Sequence, residues 1–342
     1  MKPSFRALSL GLASAVLSLG FSLSSVANDN FYAGKTINVI SPSGTGGSIY
    51  LYNLLVANHI GRHIPGQPNA IVEERLGGGG ITAANYVDNI APQDGTVIAG
   101  LHPSGLLAPR LSNTARAANY NPASFQWLGS LAARTYVDVL WHEVPVRTFN
   151  ETLSREVTMG ATGRGAVTYQ NPRFMSAVTG AQFRIVTGYS SGGELNLAME
   201  RGEIDGRGNY YPGFLATNPD WIEDQRLTFL YTMGPAHPDL PDVPAARDLI
   251  SGEDNLAMLT MLEGPILIGQ GFYVSGNVPT ERVAILQTAF ERMLEDPAFI
   301  AEAERLNLLI EPISAAEVTR IAEDVFAIPD SVAENLDRII SQ

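Results

Sequence analysis

The chain has 342 residues and a net charge of −13, with 45% apolar and 17% charged residues. That composition can bury a core and is not that of a disordered chain. The acidic balance disfavours nucleic acid and anionic membrane as partners, and the absence of cysteine excludes disulfides, a lipoprotein-type cysteine anchor and thiolate chemistry.

The length suggests one large or two medium domains. Lys2 and Arg6 form a basic start, residues 7–21 are apolar, and Ser25-Val26-Ala27 is a small-x-small site. This reads as a secretory signal over residues 1–27, with the mature chain starting near Asn28. An uncleaved membrane anchor is the alternative, disfavoured by the short apolar core. Loss of Lys2 and Arg6 would take the net charge from −13 to −15. The mature protein is expected in the periplasm.

Residues 37–40 read as a strand that runs into the glycine-rich turn 43–48, followed by a helix over 49–60. Such a turn exposes backbone N–H groups, and the first helical N–H groups lack intrahelical partners, so the unit suits an anion. These dipoles act at contact, while the field of distant acidic charges is screened. A second strand (70–74), the turn Gly77-Gly78-Gly79-Gly80, a helix (81–90) and a third strand (96–101) follow. This is the pattern of a parallel α/β sheet, in which ligands bind beyond the carboxyl ends of the strands.

A helix is predicted over 106–120, strands over 125–131 and 136–141, and a helix over 149–156 with Asn150 as N-cap. Residues 157–165 then repeat the opening pattern of strand and glycine turn, with a helix over 169–178. A strand (183–189), a turn at Ser190-Ser191-Gly192-Gly193, a helix (194–201) and a short strand after Gly206 complete a second α/β unit. Further on come a strand (227–233), a proline-rich loop (237–244) and a long strand (265–274). An amphipathic helix (279–294, N-cap Thr280) and helices over 296–306 and 315–326 close the chain.

Several marks in a fixed order carry a family resemblance. They are Pro42-x-x-x-Gly46-Gly47; Val72-Glu73-x-x-x-Gly77-Gly78-Gly79-Gly80-x-x-Ala83-Ala84 with Ala91-Pro92-x-Asp94-Gly95; Gly188-Tyr189 leading to Gly202-Glu203-Ile204-Asp205; Leu240-Pro241-Asp242-Val243-Pro244; and Pro279-x-x-x-Val283 ahead of Asp296-Pro297. In these the chain resembles the solute-binding proteins of the tripartite tricarboxylate transporter family, the Bug or TctC type. The resemblance implies an α/β fold of the type II periplasmic-binding-protein kind, with two lobes, two crossover strands and a ligand cleft between. Lobe 1 would comprise 28–137 and 266–342, and lobe 2 would comprise 138–265, with crossovers near 136–140 and 265–274. It implies a monomer, without cofactor or catalysis, that captures a small di- or tricarboxylate or aromatic carboxylate and delivers it to membrane permease subunits. Three departures stand out. Tyr50 occupies a position that is commonly acidic, the second loop begins Glu74-Arg75-Leu76-Gly77, and the tyrosine turn continues Ser190-Ser191-Gly192.

The candidate ligand residues follow. Ser43, Gly44, Thr45, Gly46, Gly47 and Ser48 would donate from the first turn, with Tyr50 behind it setting this chain's ligand apart. Gly78, Gly79 and Gly80 are either a second contact or a packing turn. Ser104 follows the third strand, beside His102 read as a turn residue. Thr162 and Gly163 occupy the matching turn of the second unit. Arg164 would pair with a carboxylate or remain a solvated charge. Tyr189 and Ser190 form the next turn, and Asn209 follows the last short strand. Tyr50, Tyr52, Trp141, Tyr210, Tyr211 and Phe272 would form an aromatic wall, or each lie in the core. Asp205 is read as structural.

Two rivals are weighed. For an enzyme, Gly44-x-Gly46-Gly47 lacks the dinucleotide spacing and no Gly-Lys-Ser/Thr loop exists. No Gly-x-Ser-x-Gly elbow is read, so a serine-elbow hydrolase is set aside, and His59/His63 are not favoured as a metal pair. A ligand-sensing partner of a receptor or sensor kinase would use the same closure.

Overall fold

A computed structural model describes residues 1, 31–45, 48–111, 115–189 and 191–341. Apart from Met1, the signal expected over 1–27 lies outside the described residues, as do Gly46, Gly47 and Ser190.

The chain opens with β1 (Thr36–Ser41), α1 (Ser48–Ile60), β2 (Asn69–Glu74), α2 (Ile81–Asn89), β3 (Val97–Gly100) and α3 (Pro103–Leu107). Next come β4 (Gln126–Ser130), β5 (Tyr136–Trp141), β6 (Val157–Ala161), α4 (Val167–Thr179), β7 (Phe183–Thr187) and α5 (Gly192–Glu200). They are followed by β8 (Gly206–Tyr210), α6 (Tyr211–Thr217), α7 (Pro219–Glu223), β9 (Leu227–Met233), α8 (Ala246–Leu249) and α9 (Glu253–Ile268). The last elements are β10 (Gly271–Val274), α10 (Thr280–Leu294), α11 (Pro297–Arg305), α12 (Ala315–Ala327) and α13 (Asp330–Ile340).

The strands form two five-stranded sheets, ordered β2-β1-β3-β10-β4 and β7-β6-β8-β5-β9. In the first, β1 runs parallel to β2 and β3, and β10 is antiparallel to β3 and β4. The second repeats this plan: β6 is parallel to β7 and β8, and β5 is antiparallel to β8 and β9. In each sheet the antiparallel strand is the one by which the chain arrives from the other half. The inner parallel strands β1, β3 and β6 are mostly buried because helices cover both faces, whereas the edge strands β2 and β7 are partly exposed. One face of the first sheet packs Val39, Leu55, Phe290 and Phe299 together. The other packs Ile40, Ile81, Trp127 and Val318. On α10, Val283, Leu286, Ala289, Phe290 and Met293 are buried at helical spacing, each large side chain contributing roughly 1.5–3 kcal/mol by burial.

Four expectations change. The helix over 106–120 stops at Leu107 and tightens into a 3-10 turn over 108–110, because Pro109 cannot donate a helical N–H. Residues 149–153 form a 3-10 helix in which Thr148, not Asn150, precedes the first turn. Thr280 is the first residue of α10, behind Pro279, and makes no side-chain cap. The long strand over 265–274 is the end of α9, a break at Gly269 and the short β10. Helix α9 buries residues all round its circumference, so no 3.6-residue alternation marks it.

The last helix makes a further passage. Val332, Leu336 and Ile340 of α13 share a cluster with Phe174 and Met175 of α4, on the second sheet. Among the described residues no helix is long and apolar enough to cross a membrane.

Candidate ligand-binding site

A cavity of about 510 Å³ opens between the two sheets, lined by Gly78, Gly79, His102, Ser104, Thr162 and Gly163 among others. Gly78 follows β2, His102 and Ser104 follow β3, and Thr162 and Gly163 follow β6. All sit beyond the carboxyl ends of parallel strands, where α/β sheets bind ligands.

The Gly77–Gly80 turn needs glycine at each position, since all four have φ between +59° and +120°. Gly78 and Gly79 line the cavity. Gly80 instead packs: a Cβ there would lie 2.4 Å from the Cβ of His102. The two roles left open for this turn are thus divided within it.

His102 does more than turn the chain. Its Nδ1 accepts the Ser104 N–H at 3.3 Å and so caps α3. An accepting Nδ1 carries no proton, which leaves the ring proton on Nε2. Burial, reinforced by the charge of Arg134, pushes its pKa down to about 4. It is therefore a neutral imidazole at the cavity wall. On the second-sheet side the Thr162 N–H donates to Thr168 Oγ1 at 3.2 Å, and the two hydroxyls lie 3.4 Å apart. Gln170, in the first turn of α4, is buried and also borders the cavity. Sequence reading missed it, although a polar residue one turn beyond a glycine loop is a signal that could have found it. The rest of the wall is Gly165 and the apolar Ile81, Ala108, Leu111, Ala117 and Ala166, and among the described residues no carboxylate lines it.

The first turn is arranged differently from expectation. The Ser43 N–H donates to Ser41 Oγ at 3.4 Å. The N–H and hydroxyl of Thr45 both donate to Glu74 Oε1, at 3.0 and 2.7 Å. The turn does hold a carboxylate, but it is the chain's own. Gly44 lies over Leu76. Ser48, at the start of α1, borders a second cavity of about 40 Å³, together with Tyr52, Arg134, Asn209 and Tyr210. Tyr50 lines neither cavity.

Arg164 borders a separate pocket of about 350 Å³ with Tyr169 and Arg173, and its Nη1 reaches the Ser341 carbonyl at 3.4 Å. Tyr189 packs against the cluster around Leu195. Burial pushes its hydroxyl pKa up, with Glu203 and Glu194 adding to the shift. Neither residue lines the large cavity. Of the aromatic set, Tyr52 and Tyr210 reach the small cavity. Trp141 packs on Trp221 with centroids 4.9 Å apart, and Tyr211 and Phe272 are core. Asp205 Oδ2 accepts the Thr158 N–H at 2.7 Å, a structural role. His59 and His63 face Glu302 and Asp296, at 2.6 and 3.1 Å.

With this geometry, comparison with solved structures gives the fold. A TctC solute-binding protein from Polaromonas is similar over 91% of this chain and 99% of its own, at TM-score 0.66 and 15% identity. The periplasmic binding protein BugD matches over 90% and 98% at TM-score 0.64 and 17% identity. MatC from Rhodopseudomonas palustris, solved with bound malate, matches over 90% and 99% at TM-score 0.63 and 18% identity. The chain has the fold of a TctC-type solute-binding protein. No protein-family model matches the sequence, and no curated protein matches it.

One motif in this fold needs correction. Gly188-Tyr189-Ser190-Ser191-Gly192 does carry the Gly-x-Ser-x-Gly spacing of a serine elbow, with β7 before it and α5 after it. Setting the hydrolase aside therefore cannot rest on a missing motif. Ser191 Oγ accepts the Glu194 N–H at 3.2 Å and caps α5. Ser190 lies outside the described residues.

Proposed function

We propose that this chain is an exported solute-binding protein of the TctC and Bug type, which closes two lobes on a small organic carboxylate. The observation that carries this reading is the cavity of about 510 Å³, walled by turn glycines, two hydroxyl residues and a neutral histidine, with no acidic side chain among the described residues. Neutral N–H and O–H donors hold a carboxylate through charge-assisted hydrogen bonds, and an acid-free wall avoids repelling it. The malate bound to MatC is the same class of ligand.

In this reading residues 1–27 are a cleaved signal and the protein acts in the periplasm as a monomer. Lobe 1 is 28–137 with 266–342, its final helix docked across onto lobe 2, which is 138–265. The permease subunits of a tripartite tricarboxylate-type transporter receive the ligand. Ligand binding shifts the population toward the closed form by its differential affinity. Thr162 and Ser104 bind from opposite lobes, and no residue performs chemistry.

A thermal-shift screen of aliphatic and aromatic mono-, di- and tricarboxylates tests this, because a ligand of the folded form raises its apparent stability. Thr162→Ala and Ser104→Ala should each weaken the best ligand by roughly tenfold. Ester or amide turnover by the purified protein, abolished in Ser190→Ala, would replace this reading with the hydrolase.

A further inference from the structure

The 40 Å³ cavity is small, yet it is built around a charge. Arg134 is 6% exposed. Its guanidinium stacks 4.9 Å over the Tyr210 ring. The side-chain oxygens beside it, Gln270 Oε1 and the Tyr210 hydroxyl, are both neutral. Among the described residues it forms no ion pair, although the chain carries 35 acidic side chains against 22 basic ones. A buried guanidinium without a carboxylate is costly to keep. Five N–H donors in a fixed fork match one planar acid.

The walls of the cavity come from both halves of the molecule. Ser48 and Tyr52 belong to α1 over the first sheet, Asn209 and Tyr210 to β8 of the second, and Arg134 to the segment between β4 and β5. A space of about 40 Å³ takes a few waters or one acid headgroup, and not a whole solute.

We propose that the Arg134 cavity is a carboxylate subsite, which takes one acid headgroup of the solute. This rests on the solute-binding reading above and adds the residue, Arg134, that holds the headgroup. Ser48 and Asn209 are the polar groups that approach the headgroup from either lobe, so an acid seated there ties both lobes together beside the chain crossings.

Calorimetry on the mature protein with α,ω-dicarboxylates of increasing length tests it, joined by NMR of the Arg134 Nε–Hε resonance. The expected result is saturable binding of a dicarboxylate that shifts this resonance, and a loss of about tenfold or more in Arg134→Gln. Arg134→Gln that keeps affinity within about twofold, or an unmoved resonance at saturation, overturns the subsite and leaves the solute-binding reading standing. A wild-type protein that binds no carboxylate at all removes both. If Arg134→Gln does not fold, Asn209→Asp decides instead. A second carboxylate on the same wall must cut dicarboxylate affinity by about tenfold, and retained affinity overturns the proposal.

Discussion

Arg134 donates to Gln270, and the two residues stand on different passages of the chain between the sheets. Their backbones are laced as well: Leu131 N–H to Gln270 O at 3.0 Å, Gln270 N–H to Ala132 O at 2.9 Å, and Arg134 N–H to Ile266 O at 3.1 Å. The two passages thus form one hydrogen-bonded unit. Gly269 makes it possible, with φ +60° and ψ −112°, where a Cβ would lie 2.0 Å from the Ala132 carbonyl oxygen. Gly269→Ala should destabilise the protein by about 2–4 kcal/mol, from backbone strain and the clash together. Urea unfolding measures this, and a loss under about 0.5 kcal/mol would show that the passages can part freely.

Asp138 gives a pH dependence of defined sign. It is fully buried in the centre of the second sheet, and burial pushes its carboxyl up to about 7. The hydroxyls of Tyr136 and Tyr231 donate to it. The folded state therefore holds a proton that the unfolded chain releases near pH 4, and stability falls as pH rises from about 4 to about 7. The ceiling of this loss is about 4 kcal/mol. Asp138→Asn should flatten the dependence over that window and raise Tm at pH 7.5. Calorimetric scans at pH 5 and pH 7.5 read the difference, and an unchanged slope rules Asp138 out as its source.

His102 works in the opposite direction. Its pKa is pushed down to about 4, so between pH 6.5 and 4 the unfolded chain takes a proton that the folded state refuses. Stability falls as pH drops through that window, by about 3 kcal/mol at most. The NMR titration of His102 should show a midpoint well below 6.5, and a midpoint at 6.5 would make it an ordinary exposed histidine. Since Asp138 gains stability over the same descent, the wild-type Tm should change less between pH 6.5 and 4 than that of Asp138→Asn.

Glu74 supplies another prediction. Its carboxylate engages both donors of Thr45, so these two donors are closed to an outside acid unless Glu74 moves. Glu74→Ala should raise carboxylate affinity by about threefold to tenfold, by freeing the donors and removing a like charge. Calorimetry decides: an unchanged affinity would place this turn outside the binding path.

The fold was legible where glycine and proline punctuate short apolar runs. Turns at 77–80 and 162–165 marked strand ends, and Gly78, Gly79, Ser104, Thr162 and Gly163 do meet in one cavity. Features set by long-range burial were not legible. Arg134 looks like any loop arginine until Tyr210 and Gln270 enclose it. The Glu74 to Thr45 contact spans 29 residues, and only the odd Glu74-Arg75-Leu76 start of the loop hinted at it. Helix α9 is buried over most of its circumference beyond the first turn, with residues in the clusters of both halves, which erases the periodicity that reveals surface helices. Arg164 and Tyr189 stood next to the right kind of turn and point elsewhere, since adjacency along a chain does not set side-chain direction.

Helix α13 ends the described chain on the second sheet, while β1 begins it in the first. The two ends therefore lie beside different sheets. Any rotation of one sheet against the other must change the distance between a label near Lys35 and one near Ser341. A donor and acceptor dye at those sites would report lobe movement directly, in single molecules and without a labelled ligand. A fusion at the carboxyl end, by the same logic, adds its mass beside the second sheet.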